Sequence, residues 1–168
     1  NDIIKKHQDL VKCANNLRSY RQKQAKACEL ALVKECKELD LEHTKFEIMF
    51  NEVDLTDPFN NSIFLDNGID IVDFYISFNI GEPVKPLNKV ASGGELSRIM
   101  LAFKAIYLEK NPLSFMVFDE IDTGVSGSVA DKMGSMICGM GEDMQVFAIT
   151  HLPQVAAKGN AHYLVSKE

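Results

Sequence analysis

The sequence predicts an α/β fold carried behind a long N-terminal helix, on three observations. Residues 1–44 contain no Gly or Pro, two runs between 45 and 78 alternate apolar with polar residues, and beyond residue 92 apolar runs of strand length alternate with helical patterns. The first is a helix signal and the second that of an antiparallel β pair. The third is that of a mostly parallel sheet flanked by helices.

Taken in order, residues 1–44 are rich in Lys, Gln, Glu, Ala and Leu, all strong helix formers. Ile3, Leu10 and Leu17 repeat with heptad spacing, and Ala25, Leu32 and Leu39 resume it beyond the polar stretch 18–24. This stripe fits an amphipathic helix lying on its own domain as well as it fits one strand of a coiled-coil arm whose partner helix is not in the chain. From Thr44 the period becomes two, with Phe46, Ile48 and Phe50 opposite Lys45, Glu47 and Met49. After the turn-rich 54–67, Val72, Phe74, Ile76 and Phe78 alternate with Asp73, Tyr75 and Ser77. Gly81-Glu82-Pro83-Val84-Lys85-Pro86 is expected to continue neither strand nor helix and to cross into another layer.

Ser92 to Glu109 carries Leu96, Ile99, Met100, Phe103 and Tyr107 at helical spacing and is stopped by Asn111-Pro112. Leu113 to Phe118 reads as a buried strand, Ser128 to Met140 as a helix and Val146 to Ile149 as a strand. Tyr163 to Val165 is a candidate third strand, and a parallel sheet of this kind is expected to be covered on both faces. The division is an arm over 1–44 and a globular part over 45–168.

A length of 168 residues suits one domain with an appendage, and 46% hydrophobic with 25% charged residues excludes wholesale disorder. No apolar run reaches the ~18–20 residues that span a bilayer, and the first residues lack a signal-peptide core. A soluble, cytoplasmic protein without membrane contact is expected. The net charge of −6 argues against a surface that grips nucleic acid all over, leaving room for a local basic patch. Cys13, Cys28, Cys36 and Cys138 form no C-x-x-C pair and read as reduced thiols. The chain begins with Asn, in mid-helix, and reads as an excerpt of something longer.

The chemistry concentrates at strand ends. Phe115-Met116-Val117-Phe118 runs straight into Asp119-Glu120, and Val146-Phe147-Ala148-Ile149-Thr150 into His151. A βαβ connection between two parallel strands sets all three ionisable groups on one rim, where open α/β sheets bind ligands. Ser92-Gly93-Gly94-Glu95 is a capping box at a helix start. Its two glycines would let an anion approach the unpaired amides of the first turn.

In their order along the chain these segments resemble the motifs of ABC-type ATPases. Ser92-Gly93-Gly94-Glu95-Leu96 is similar to the signature motif and 115–120 to the Walker B strand. Ile121-Asp122-Thr123-Gly124-Val125-Ser126 resembles the D-loop, and Ile149-Thr150-His151 the switch histidine. The longer strings 90–98 and 119–127, with His151-Leu152-Pro153-Gln154-Val155-Ala156, resemble the RecN family of SMC-like ATPases of bacterial DNA double-strand-break repair. That resemblance implies the C-terminal lobe of an ABC/SMC-type ATPase head, preceded by a returning coiled-coil helix.

It also implies roles. Glu120 and His151 would be catalytic, the first positioning or deprotonating the attacking water and the second sensing the γ-phosphate of ATP. Asp119 would hold Mg²⁺ through water. Ser92, Gly93, Gly94 and Glu95 would contact nucleotide held by a second head in an ATP-dependent homodimer, and Asp122, Thr123, Gly124 and Ser126 would touch that head. DNA would be engaged by the whole assembly, in the cytoplasm on the nucleoid.

Two departures stand out. Ser126 occupies the place where most D-loops end in Asp, so no intersubunit aspartate contact is implied. No G-x-x-x-x-G-K-[S/T] occurs, since Gly134 to Gly139 is followed by Met140. In the family that phosphate cradle, Walker A, lies in an N-terminal half of the head, which becomes the first implied partner. The chain alone is therefore expected to be inactive. The competing readings are a stand-alone metal-dependent hydrolase using Asp119, Glu120 and His151, another SMC- or Rad50-like head, and a non-enzymatic coiled-coil module.

Overall fold

The structure, a computed structural model, describes residues 2–60, 62–89 and 93–166. Helix α1 (Asp2–Glu38) runs 37 residues unbroken, with Asp2 in its first turn and Lys37 in its last, both complementing the helix dipole. It ends where Asp40 takes a left-handed φ of 59°. The amides of Leu39 and Leu41 both return to Cys36 O. Strands β1 (Lys45–Phe50) and β2 (Val72–Ser77) pair antiparallel, as the alternation predicts, in a register that sets Phe46 opposite Ile76.

The Gly81–Pro86 segment corrects an expectation. Lys85–Pro86 forms a two-residue strand, β3, antiparallel to β2 in the same sheet. Pro86 is tolerated because β3 is an edge strand, where a missing N–H donor costs no ladder bond. A short 3-10 turn (Leu87–Lys89) follows.

Helix α2 (Gly93–Leu108) leads to β4 (Phe115–Asp119), helix α3 (Gly127–Met140), β5 (Gln145–Ile149) and a single turn, α4 (Pro153–Ala156), with Pro in its first turn. Strands β4 and β5 are parallel, with Asp119 level with Ile149. No strand forms at Tyr163 to Val165, which is exposed.

One core joins these layers. Leu32, Cys36 and Leu39 of α1 pack with Phe46, Ile76, Ile99, Leu101, Ala102, Phe118, Ala130, Met133, Ile137 and Val155. Leu32 and Leu39 are thus covered by their own domain and need no partner helix. Further up α1, Ile3 and Leu10 are exposed.

The segment between β1 and β2 reaches back along that upper half. Arg18 donates to Asn51 O, and Arg21 to Asn67 O (2.6 Å) and Asp70 Oδ2 (3.0 Å). His7 meets Leu55 O at 3.1 Å. Arg18 Nη1 also stands 3.1 Å from Asp70 Oδ1, an ion pair without hydrogen-bond alignment. Lower down, buried Glu29 accepts the amide of Ile48 (2.9 Å), capping the open edge of β1.

Two apolar faces depart from expectation. On α2, Ile99, Leu101 and Ala102 are buried while Leu96, Met100 and Tyr107 are exposed. On the β4/β5 pair, Phe118 faces the core, but Phe115, Val117, Phe147 and Ile149 lie on an open face. The sheet is covered on one side only among the described residues.

Candidate functional site

Parallel pairing of β4 with β5 brings both strand ends to the same rim, and the ladder continues one step beyond the strands through the bond from Glu120 N to Ile149 O (3.1 Å). Asp119, Glu120 and His151 are exposed there. Glu120 has φ 46°, the left-handed region that a non-glycine residue enters only when its surroundings hold it. Thr123 supplies one such hold, its amide (3.2 Å) and hydroxyl (2.8 Å) both donating to Glu120 O.

Asp122 is the unexpected member. It is 1% exposed, with Oδ2 accepting the hydroxyl of Thr150 and Oδ1 without a hydrogen-bond partner among the described residues. Thr150 Oγ1 in turn accepts the amide of Leu152 (2.9 Å). Of the D-loop residues singled out in the sequence, Thr123, Gly124 and Ser126 remain at the surface. Ser126 is the N-cap of α3 in an extended conformation, without a side-chain cap bond.

The start of α2 lies alongside. Ser92 falls outside the described residues, so its capping box is not described. Gly93 opens on free space, whereas a Cβ on Gly94 would come within 2.6 Å of Gly124 O. Gly94 therefore serves close packing of the backbone at Gly124 against the first turn of α2, and the open approach to that turn is at Gly93. Ser97 Oγ reaches Thr123 O at 3.5 Å across the same junction.

Sequence reasoning passed over Arg98. Its Nε donates to Gly94 O (3.1 Å), and its Nη1 to Leu39 O (3.1 Å) and Asp40 O (3.3 Å), tying the first turn of α2 to the last carbonyls of α1. Lys132 of α3 joins by pairing with Asp40 (2.6 Å), which raises its own pKa. The base of α1, the start of α2 and helix α3 thus form one charged junction. An arginine three residues after Glu95, in the second turn of the expected helix, was the available signal.

Asp119 and Glu120 offer hard oxygen donors that suit Mg²⁺, an ion that keeps much of its water and takes only one or two carboxylates plus substrate phosphates. Among the described residues no three metal-ligating side chains gather. A cation here would draw further ligands from elsewhere. No helix is long and apolar enough to cross a membrane.

No family model matches the chain. It is 48% identical over 130 residues to the DNA repair protein RecN of Halalkalibacterium halodurans, covering 77% of this chain and 22% of that protein. It is 40% identical over 166 residues to DNA repair protein RecN of Synechocystis, covering 98% and 27%. The chain thus spans about a quarter of the length of the relatives it matches. Among solved structures, a chain from work on ATP-driven dimerization and DNA-stimulated activation of SMC ATPases superposes with a TM-score of 0.60 at 18% identity, covering 89% of this chain and 83% of that one. At that identity the likeness is one of fold.

Proposed function

We propose, from the premise that this chain is a RecN-like segment folded as the C-terminal lobe of an SMC head, that it supplies half of a composite ATP site. What supports this most is the in-register β4/β5 pair, which sets Asp119, Glu120 and His151 on one rim beside the first turn of α2. In this reading Glu120 orients or deprotonates the attacking water, His151 contacts the γ-phosphate, and Asp119 would hold Mg²⁺. When bound, Mg²⁺ would supply positive charge that offsets the charge of the nucleotide phosphates. The signature residues Ser92, Gly93 and Glu95 address nucleotide carried by a second head, with Gly94 packing the turn behind them, while Thr123, Gly124 and Ser126 meet that head.

The phosphate cradle comes from an N-terminal half of the same head, which also covers the open apolar face of β4 and β5. The upper part of α1, where Ile3 and Leu10 are exposed, is the returning strand of a coiled coil, and the whole assembly acts on DNA in break repair, in the cytoplasm on the nucleoid. The test is Glu120→Gln in the full-length protein. The amide keeps shape but loses the base, so ATP-dependent head association persists while phosphate release falls at least a hundredfold. Turnover within threefold of the wild type excludes Glu120 as the catalytic carboxylate.

A further inference from the structure

We infer that Asp122 and Thr150 form a latch that positions Glu120 against His151 for ATP hydrolysis. The inference rests on the reading of that rim as an ATPase site. Its geometric basis is a closed ring: Glu120 N donates to Ile149 O, Thr150 follows Ile149, the Thr150 hydroxyl donates to Asp122, and the chain returns from Asp122 to Glu120. The ring joins the end of β4, which carries the acid pair, to the end of β5, one residue before the imidazole.

Stability alone does not account for this arrangement. Asp122 is a buried carboxylate with one neutral hydroxyl donor and a second oxygen unpartnered among the described residues, so desolvating it outweighs what a single bond returns. An apolar pair of the same volume would hold the two strands more cheaply. What the polar pair adds is directional constraint on the turn. Glu120, at φ 46°, keeps its left-handed backbone only while its neighbours over-determine it; the turn is held by Ile149 O, by Thr123, by the Val125 amide on Asp122 O (3.3 Å), by packing against Gly94 and by the Asp122–Thr150 bond, which is the one that ties it to the residue before His151. Without the latch, the turn relaxes toward a right-handed conformation and the Glu120 carboxylate swings off the water it must address. Misplacement of that kind reduces turnover and leaves substrate binding to the other contacts. Asp122 and Thr150 are thus positioning residues that act through the backbone carrying Glu120.

The test uses full-length protein and steady-state ATP hydrolysis, with Glu120→Gln as the reference. Thr150→Val is expected to lower kcat at least tenfold while KM for ATP and ATP-dependent head association stay within threefold. Thr150→Ser, which restores the hydroxyl, returns kcat to within threefold of wild type, a rescue that a packing role for the methyl would not give. Asp122→Leu combined with Thr150→Val is no slower than the worse single variant, because both remove the same bond. Thr150→Ala takes the place of Thr150→Val if the latter does not fold. With Glu120→Gln inactive, a Thr150→Val enzyme within twofold of wild type, a loss confined to KM, or no rescue by Thr150→Ser overturns the latch alone. An active Glu120→Gln overturns the reading of the site and the latch with it.

Discussion

Burial pushes the Cys36 thiol up from the ordinary 9.0 to about 11, more than its hydrogen bond with Thr44 lowers it. The unfolded chain releases this proton near 9.0 and the folded chain only near 11. The stability it contributes is therefore complete below pH 9.0 and is lost as pH rises through that window, by at most about 3 kcal/mol. At pH 8 about one thiol in a thousand is ionised at this site. Burial also raises Cys28, whereas Cys13 and Cys138 are exposed. A disulfide-exchange reagent at pH 8 is expected to label Cys13 and Cys138 within minutes, Cys28 more slowly and Cys36 only on unfolding. Single-phase labelling of all four under native conditions contradicts the buried placement of Cys36. Gly94 teaches a related lesson at the same scale. Its missing side chain looks like access for an anion when read in sequence, and proves to be room for Gly124 O.

Helix α1 is one element with two environments. Below about Ala25 it is part of the core, with Leu32 fully buried, while above it the polar loop between β1 and β2 is clasped by Arg18 and Arg21 and Leu10 stays exposed. Both positions carry the same heptad signal, yet their substitutions are expected to differ sharply. Leu32→Ala leaves a cavity in a packed interior and costs about 2–5 kcal/mol, whereas Leu10→Ala in the same chain changes stability by no more than about 0.5 kcal/mol. Urea unfolding of the two variants checks this, and equal costs would mean that the whole helix is packed alike. The exposed row Leu96, Met100 and Tyr107 on α2 repeats the pattern: an apolar stripe announces that something covers it without saying what.

For the whole molecule, the open face of the β4/β5 pair sets the behaviour of the isolated chain. Phe115, Val117, Phe147 and Ile149 are contiguous across a parallel pair, a kind of sheet that is normally covered on both sides. The isolated chain is expected to bind a hydrophobic dye and to show no ATP turnover, and co-expression with the N-terminal half of the head to suppress the dye signal and restore turnover. Turnover by the chain alone would contradict the composite site. The α/β class, the antiparallel and parallel pairs and the rim of Asp119, Glu120 and His151 were legible in the order of residues alone. Those follow from local period and from the rule that parallel strands end on one side. Packing in three dimensions settles that Leu32 and Leu39 sit in their own core, that Lys85–Pro86 extends a sheet, that Arg98 joins α2 to α1, and that Asp122 turns inward to Thr150. Each of these depends on partners distant in the chain, and periodicity marks which residues seek burial or a bond without naming the partner that provides it.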